Sequence, residues 1–172
     1  MRVEGKGLID RSKTVSFKFD GKTYQGFKGD TVASALLANG VKLVGRSFKY
    51  HRPRGVLTAG SEEPNALIEV VGASNQTPNV RATVQEIFDG LNTRSQNRWP
   101  SLRFDVLSAN DLASPFLSAG FYYKTFMWPK AFWEGLYEPL IRRAAGLGSL
   151  SAKHDEGHYE KAYAFCDLLV IG

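Results

Sequence analysis

The 172-residue sequence holds a single cysteine, Cys166. One thiol excludes an intrachain disulfide and any zinc or iron–sulfur site assembled from cysteines of this chain. Set before an apolar run, Cys166 is expected as a packed, inert thiol rather than a nucleophile. Long hydrophobic stretches are lacking too. No window approaches the roughly 20 apolar residues of a membrane span, and Met1-Arg2-Val3-Glu4-Gly5-Lys6-Gly7 has no apolar signal core. These absences suit a reducing cytoplasm and give no reason to expect a membrane. Internal repeats and low-complexity tracts are also missing.

What is present is globular in balance: 43% hydrophobic, 23% charged and 12% aromatic residues, too many large apolar groups for a disordered chain. The length allows one domain with an extension, or two small units. The net charge of +5 suits nucleic acid, an acidic surface or a protein partner and selects none of them. The densest basic cluster is Arg46-Ser47-Phe48-Lys49-Tyr50-His51-Arg52-Pro53-Arg54.

Val15-Ser16-Phe17-Lys18-Phe19 alternates apolar and polar side chains, Asp20-Gly21 follows, and Thr23-Tyr24-Gln25-Gly26-Phe27 resumes a strand-like composition. Asp-Gly between such runs predicts a hairpin, because its turn needs positive φ. Asp30 is placed to cap a helix with Val32, Ala35 and Leu36 on one face, stopped by Asn39-Gly40. After Val41 to Val44 and a Gly- and Pro-punctuated loop from Arg52 to Pro64, Ala66 to Val71 and Arg81 to Glu86 read as strands. Hairpin, helix and further strands give the order of a β-grasp domain of the α+β class. Leu91 to Trp99 is polar and without periodicity, as a linker or boundary would be.

Beyond it, Pro115 to Gly148 is crowded with Phe116, Phe121, Tyr122, Tyr123, Phe126, Trp128, Phe132, Trp133 and Tyr137. Pro115, Pro129 and Pro139 allow only short helices there, at Lys130 to Leu136 and Pro139 to Ala145. That much apolar surface points to a partner interface, the alternative being a second core packed on the small domain. The end, Asp167-Leu168-Leu169-Val170-Ile171-Gly172, has the composition of the first strand of a Rossmann unit, with Gly172 where phosphate-binding glycines start. The expected organisation is 1–92 as the β-grasp domain, 93–164 as a helical and irregular aromatic-rich connection, and 165–172 as a truncated Rossmann start.

The segment from Arg46 to Gly55 resembles the ferredoxin-like (plant-type) N-terminal domains of multimeric amine and amino-acid oxidoreductases, among them the alpha subunits of heterotetrameric sarcosine oxidases. Gly120-Phe121-Tyr122-Tyr123-Lys124-Thr125-Phe126 and Arg142-Arg143-Ala144-Ala145-Gly146-Leu147-Gly148 are similar to the latter in particular. In cluster-bearing relatives the following loop carries Cys-x4-Cys-x2-Cys and a later fourth cysteine. That spacing falls here on Thr58, Glu63, Ala66 and Thr83, so the resemblance implies a domain without a [2Fe–2S] cluster and with no metal.

The resemblance further implies an enzyme that oxidatively demethylates sarcosine to glycine with O2 and tetrahydrofolate. FAD, FMN, NAD and tetrahydrofolate would be bound in the full complex and no cofactor by this chain. Its partners would be the remaining alpha domains and the beta, gamma and delta subunits, with no nucleic acid and no membrane. This chain alone is expected to be inactive, with no catalytic residue, its role lying in assembly.

Arg52, Arg54 and Gly172 are the candidate sites for an anionic cofactor or partner, arginine being suited to bidentate phosphate contacts. A solvated basic loop is the plainer reading of the arginines. His51 is expected as a hydrogen-bonding structural residue rather than a proton shuttle. His154 and His158 have metal-ligand spacing but sit in a polar linker. Glu62 and Glu63 are expected to point apart into water. A stand-alone β-grasp module binding protein or nucleic acid through the basic loop is the alternative.

Overall fold

A computed structural model describes residues 2–3, 5–7, 9–72, 76–115, 120, 128–144, 146, 148–152, 154, 158 and 160–170. Its framework is a five-stranded sheet with one helix laid across it, the α+β class expected from the sequence. Strand β1 (Asp10–Phe19) turns back into β2 (Lys22–Lys28) in antiparallel register, with Phe17 opposite Tyr24. The turn is Asp20-Gly21, both at positive φ (48° and 77°), as the Asp-Gly signal requires. The Asp20 carboxylate accepts hydrogen bonds from the backbone N–H and hydroxyl of Ser95 and from Arg98, tying the turn to a strand some 75 residues later.

Helix α1 (Val32–Ala38) starts one residue later than Asp30 would have set it. Thr31 is the cap, in a reciprocal capping box with Ser34. Asp30 is instead buried, accepting from the Phe27 N–H and the Ser34 hydroxyl and pairing with Arg2. The first helical N–H groups, which have no partner within a helix, donate from Val32 to Gln85 O and from Ala33 to Ala82 O. The apolar face of α1, with Val32, Ala35 and Leu36, packs into one core with Phe17, Phe19, Val44, Ile68, Ile87 and Leu91. It lies so close to β2 that a methyl built on Gly26 would sit 2.5 Å from Ile87 Cδ1 and 3.0 Å from Ala35 Cβ.

A two-stranded ribbon, β3 (Gly45–Arg46) with β4 (Pro53–Arg54), then closes the basic segment into a hairpin-like loop. Strand β5 (Leu67–Val71) pairs with β6 (Gln76–Arg81). The strand expected at Arg81–Glu86 is thus displaced towards the N-terminus: Pro78 is tolerated because β6 is a sheet edge. Ala82 and Thr83 turn inward, where Ala82 N–H meets Ala66 O.

The polar stretch expected as a linker at 91–99 holds β7 (Asn92–Ser95), which lies inside the sheet, parallel to β1 and antiparallel to β5. The sheet order is β2-β1-β7-β5-β6, so the sheet crosses the boundary expected at 92. Its polar composition misled because only Thr93 and Ser95 face inward, and both satisfy their hydroxyls, on Lys18 O and Asp20.

After β7 come a 3₁₀ segment, Val106–Asp111, a single 3₁₀ turn at Lys130–Phe132, a π turn at Trp133–Tyr137, and α2 (Glu138–Ala144) with Pro139 in its first turn. Of the expected aromatic segment, Phe116, Phe121, Tyr122, Tyr123 and Phe126 lie outside the described residues; Trp128, Phe132 and Trp133 are exposed. Residues 165–170 form no strand and Phe165 and Leu168 to Val170 are exposed; among the described residues no neighbouring strand supplies the ladder that such a segment needs. Cys166 is accordingly exposed, not packed. Gly172 lies outside the described residues.

Candidate functional site

Two neighbouring loops collect the residues singled out in the sequence. The first follows β4. Glu63, expected in water, is buried, and its carboxylate is the hub of the loop. Oε2 accepts the N–H groups of Leu57 (2.8 Å) and Thr58 (2.7 Å), and Oε1 those of Asn65 (2.8 Å) and Ala66 (3.1 Å). Burial alone would raise its pKa; the four backbone donors outweigh it and hold the carboxyl below its ordinary value. The Thr83 hydroxyl donates to Gly60 O in the same loop at 2.7 Å. Thr58 and Ala66 thus meet at the Glu63 carboxylate and Thr83 bonds the same loop, the four side chains comprising two hydroxyls, one carboxylate and one methyl.

The second loop is the basic segment, and it is far from a uniformly solvated one. Arg46 donates from Nε to Leu102 O (2.9 Å) and from Nη1 to His51 O (3.0 Å), with its side chain almost wholly buried. His51 is fully buried, at φ +55°, a left-handed conformation costly for a residue with a Cβ. Its Nδ1 lies 2.7 Å from Asp105 Oδ2. The other Asp105 oxygen accepts the N–H groups of Trp99 (3.0 Å) and Leu107 (3.2 Å), and Arg46 Nε stands 3.9 Å from Oδ2. Arg52 pairs with Asp111 (2.6 Å) and lies 4.9 Å above the Tyr50 ring, to which Lys49 also approaches at 4.7 Å.

Arg52 and Arg54 share the wall of a groove of about 380 Å³ with Arg46, Phe48 and Tyr50. Among the described residues no ion pair holds Arg54. His154 and His158 are both exposed, and no cluster of three metal-ligating side chains exists among the described residues. Sequence reasoning passed over Asp105 and Asn97, both in stretches without periodicity. Asn97 Nδ2 donates to the carbonyl oxygens of Arg46 and Ser47 and holds the basic loop from behind.

This unit has recognisable relatives. Residues 12–98, about half of the chain, match the model of the 2Fe-2S iron-sulfur cluster binding domain, and the chain belongs to that family of ferredoxin-like domains. Among curated proteins it is 64% identical over 171 residues to sarcosine oxidase subunit alpha of Rhizobium meliloti (strain 1021), which covers 99% of this chain and 17% of that protein. The same subunit of Corynebacterium sp. (strain U-96) is 47% identical over 88 residues, 49% of this chain and 9% of that protein. That of strain P-1 is 49% identical over 71 residues, 41% of this chain and 7% of that protein. The chain thus spans less than a fifth of the length of the curated relatives it matches. The crystal structure of L-proline dehydrogenase from P. horikoshii aligns with a TM-score of 0.42 and 25% identity, over 54% of this chain and 17% of that one.

The family corrects the expected cofactor account, in which no [2Fe–2S] cluster belonged to this domain: the matched family is defined as one that binds it. The donor set at the four positions does not fit such a cluster. Iron in these centres is held by thiolates, the positions carry none, and both Glu63 oxygens are spent on backbone N–H groups.

Proposed function

We propose that this chain is a structural and assembly module of the alpha subunit of a sarcosine oxidase-like oxidoreductase. The observation that carries this is 64% identity along essentially the whole chain to such a subunit. The reaction of the complete enzyme is taken as oxidative demethylation of sarcosine to glycine, with O2 and tetrahydrofolate consumed and hydrogen peroxide and methylene-tetrahydrofolate formed, and its other subunits as beta, gamma and delta. The sheet unit through β7 is read as a β-grasp domain, and the segments after it as the connection to the remainder of the subunit.

Two features support docking as the contribution of this unit. The extension exposes Trp128, Phe132, Trp133, Leu136 and Leu140, and the tail exposes Phe165, Leu168, Leu169 and Val170, more apolar surface than a free monomer normally leaves in water. Arg54, on the groove wall and held by no ion pair among the described residues, is suited to an anionic group brought by a partner, with Arg52 beside it already paired to Asp111. Nucleic-acid binding is disfavoured because Arg46 is buried, which leaves few basic side chains of the loop free to track a phosphate backbone.

Deleting residues 10–98 from the full-length subunit tests the reading. Loss of subunit association and of turnover is expected. A deletion variant that assembles and turns over sarcosine like the parent would refute it.

A further inference from the structure

Between β7 and the 3₁₀ segment, residues 99–106 fold into a small hairpin. The Trp99 carbonyl accepts the Val106 N–H (2.8 Å), Pro100 stands opposite Asp105, and the Ser101 N–H donates to Phe104 O (3.2 Å). Leu102 and Asp105 are its buried members. Trp99 and Phe104 are 57% and 69% exposed, and Val106 is exposed as well, so three large apolar side chains stand in water on one short stretch of chain. Trp99 and Val106 are cross-strand neighbours, and Phe104, two residues before Val106, lies on the same side of its strand.

The hairpin is anchored from its inner side. One Asp105 oxygen accepts the Trp99 and Leu107 N–H groups, the other meets His51, and Arg46 donates to the Leu102 carbonyl. None of these anchors uses the outer aromatic side chains. They are therefore carried on a backbone that is already fixed, which reduces the ordering cost of covering them. Large aromatic groups on such a support are the kind that carry interface energy.

Charge around the patch selects its occupant. Arg103, at the tip of the hairpin, is exposed, and among the described residues no ion pair holds it. The two acids of residues 96–112 are both committed: Asp105 is buried and Asp111 is paired with Arg52. The rim is thus positive on a chain of net charge +5, which sets a second copy against itself and favours a carboxylate-bearing surface. We propose that Trp99, Phe104 and Val106 dock on another subunit of the same oxidoreductase complex, at a surface apolar in its centre and bearing a carboxylate against Arg103. This contact rests on the assembly role given above and adds a second docking patch to that of the extension.

Hydroxyl-radical footprinting of the full-length subunit, alone and in the assembled complex, is expected to show Trp99 and Phe104 labelled several-fold more slowly after assembly. Phe104→Glu, on an exposed side chain, is expected to weaken subunit association by on the order of tenfold or more without moving the unfolding midpoint. Arg103→Glu is expected to weaken association by a factor that shrinks as salt rises. Unchanged labelling, labelling already suppressed in the lone subunit, protection by phosphatidylserine vesicles in place of the other subunits, or parent-like association of Phe104→Glu would each overturn the proposal. Deletion of residues 10–98 tests the assembly role separately: if it abolishes association while Phe104→Glu leaves association intact, the patch alone is refuted.

Discussion

Replacing Glu63 by glutamine changes one atom in the loop between β4 and β5 and removes a buried charge. The amide oxygen can keep one pair of backbone donors, Asn65 and Ala66 or Leu57 and Thr58, but the amide nitrogen then faces the other pair, donor against donor. Two charge-assisted bonds are lost and two N–H groups are left without an acceptor, at about 1.5–3 kcal/mol for each bond to a charged group. Glu63→Gln should therefore destabilise the chain by about 3–5 kcal/mol, a large share of the 5–15 kcal/mol typical of a domain. Urea unfolding of parent and variant would read it as a lower midpoint at constant slope.

The pH dependence supplies an independent arm. The folded-state pKa of Glu63 lies below its unfolded value, so its contribution is fully present above the unfolded pKa, roughly 4.3, and is lost as pH falls through the folded one. The variant should show a flatter loss of stability below pH 5. An unchanged midpoint together with an unchanged acid limb would refute the assignment of the loop to this carboxylate.

Asp30 should behave in the same sense: burial would raise its pKa, but Arg2, the Phe27 N–H and Ser34 hold it low. Asp30→Asn is therefore expected to cost stability near neutral pH and progressively less towards pH 3, measured by thermal unfolding at several pH values. Gly26→Val should lower stability by about 1–3 kcal/mol through overpacking against Ala35 and Ile87, read by the urea midpoint. Asp105→Ala, which strands the His51 ring and the Trp99 and Leu107 N–H groups in a buried place, should cost about 3–5 kcal/mol. Arg52→Ala, breaking an exposed pair, should cost less than about 1 kcal/mol in the same assay.

The first hairpin and α1 were legible because their signals are local: alternation at Val15 to Phe19, an Asp-Gly turn, and a 3.6-residue apolar stripe closed by Asn39-Gly40. The resemblance carried by Arg46 to Gly55 located the loop in which Thr58, Glu63, Ala66 and Thr83 meet. What escaped depends on partners distant in sequence. Asn92 to Ser95 contains no large apolar residue, and only its position between two hairpins makes it a strand. Glu63 reads as a surface acid until the backbone wraps four N–H groups around it. His51 gave no sign of Asp105, 54 residues away. In the other direction, Phe165 to Val170 has strand composition, but composition without a pairing edge produces no ladder.

β7 also has a consequence for how the molecule comes into being. The β1–β2 hairpin and the β5–β6 hairpin share no strand contact of their own; β7 alone is bonded to both. During synthesis, both hairpins emerge before the piece that unites them, each with an open edge awaiting the same short segment. Sheet closure is thus withheld until the last strand arrives, with contacts spanning some 75 residues, a long-range topology that slows folding. Until then the nascent chain carries two vacant edges on which another chain's strand can dock, and the crucial residues for escaping that fate are the polar four that look most like a linker.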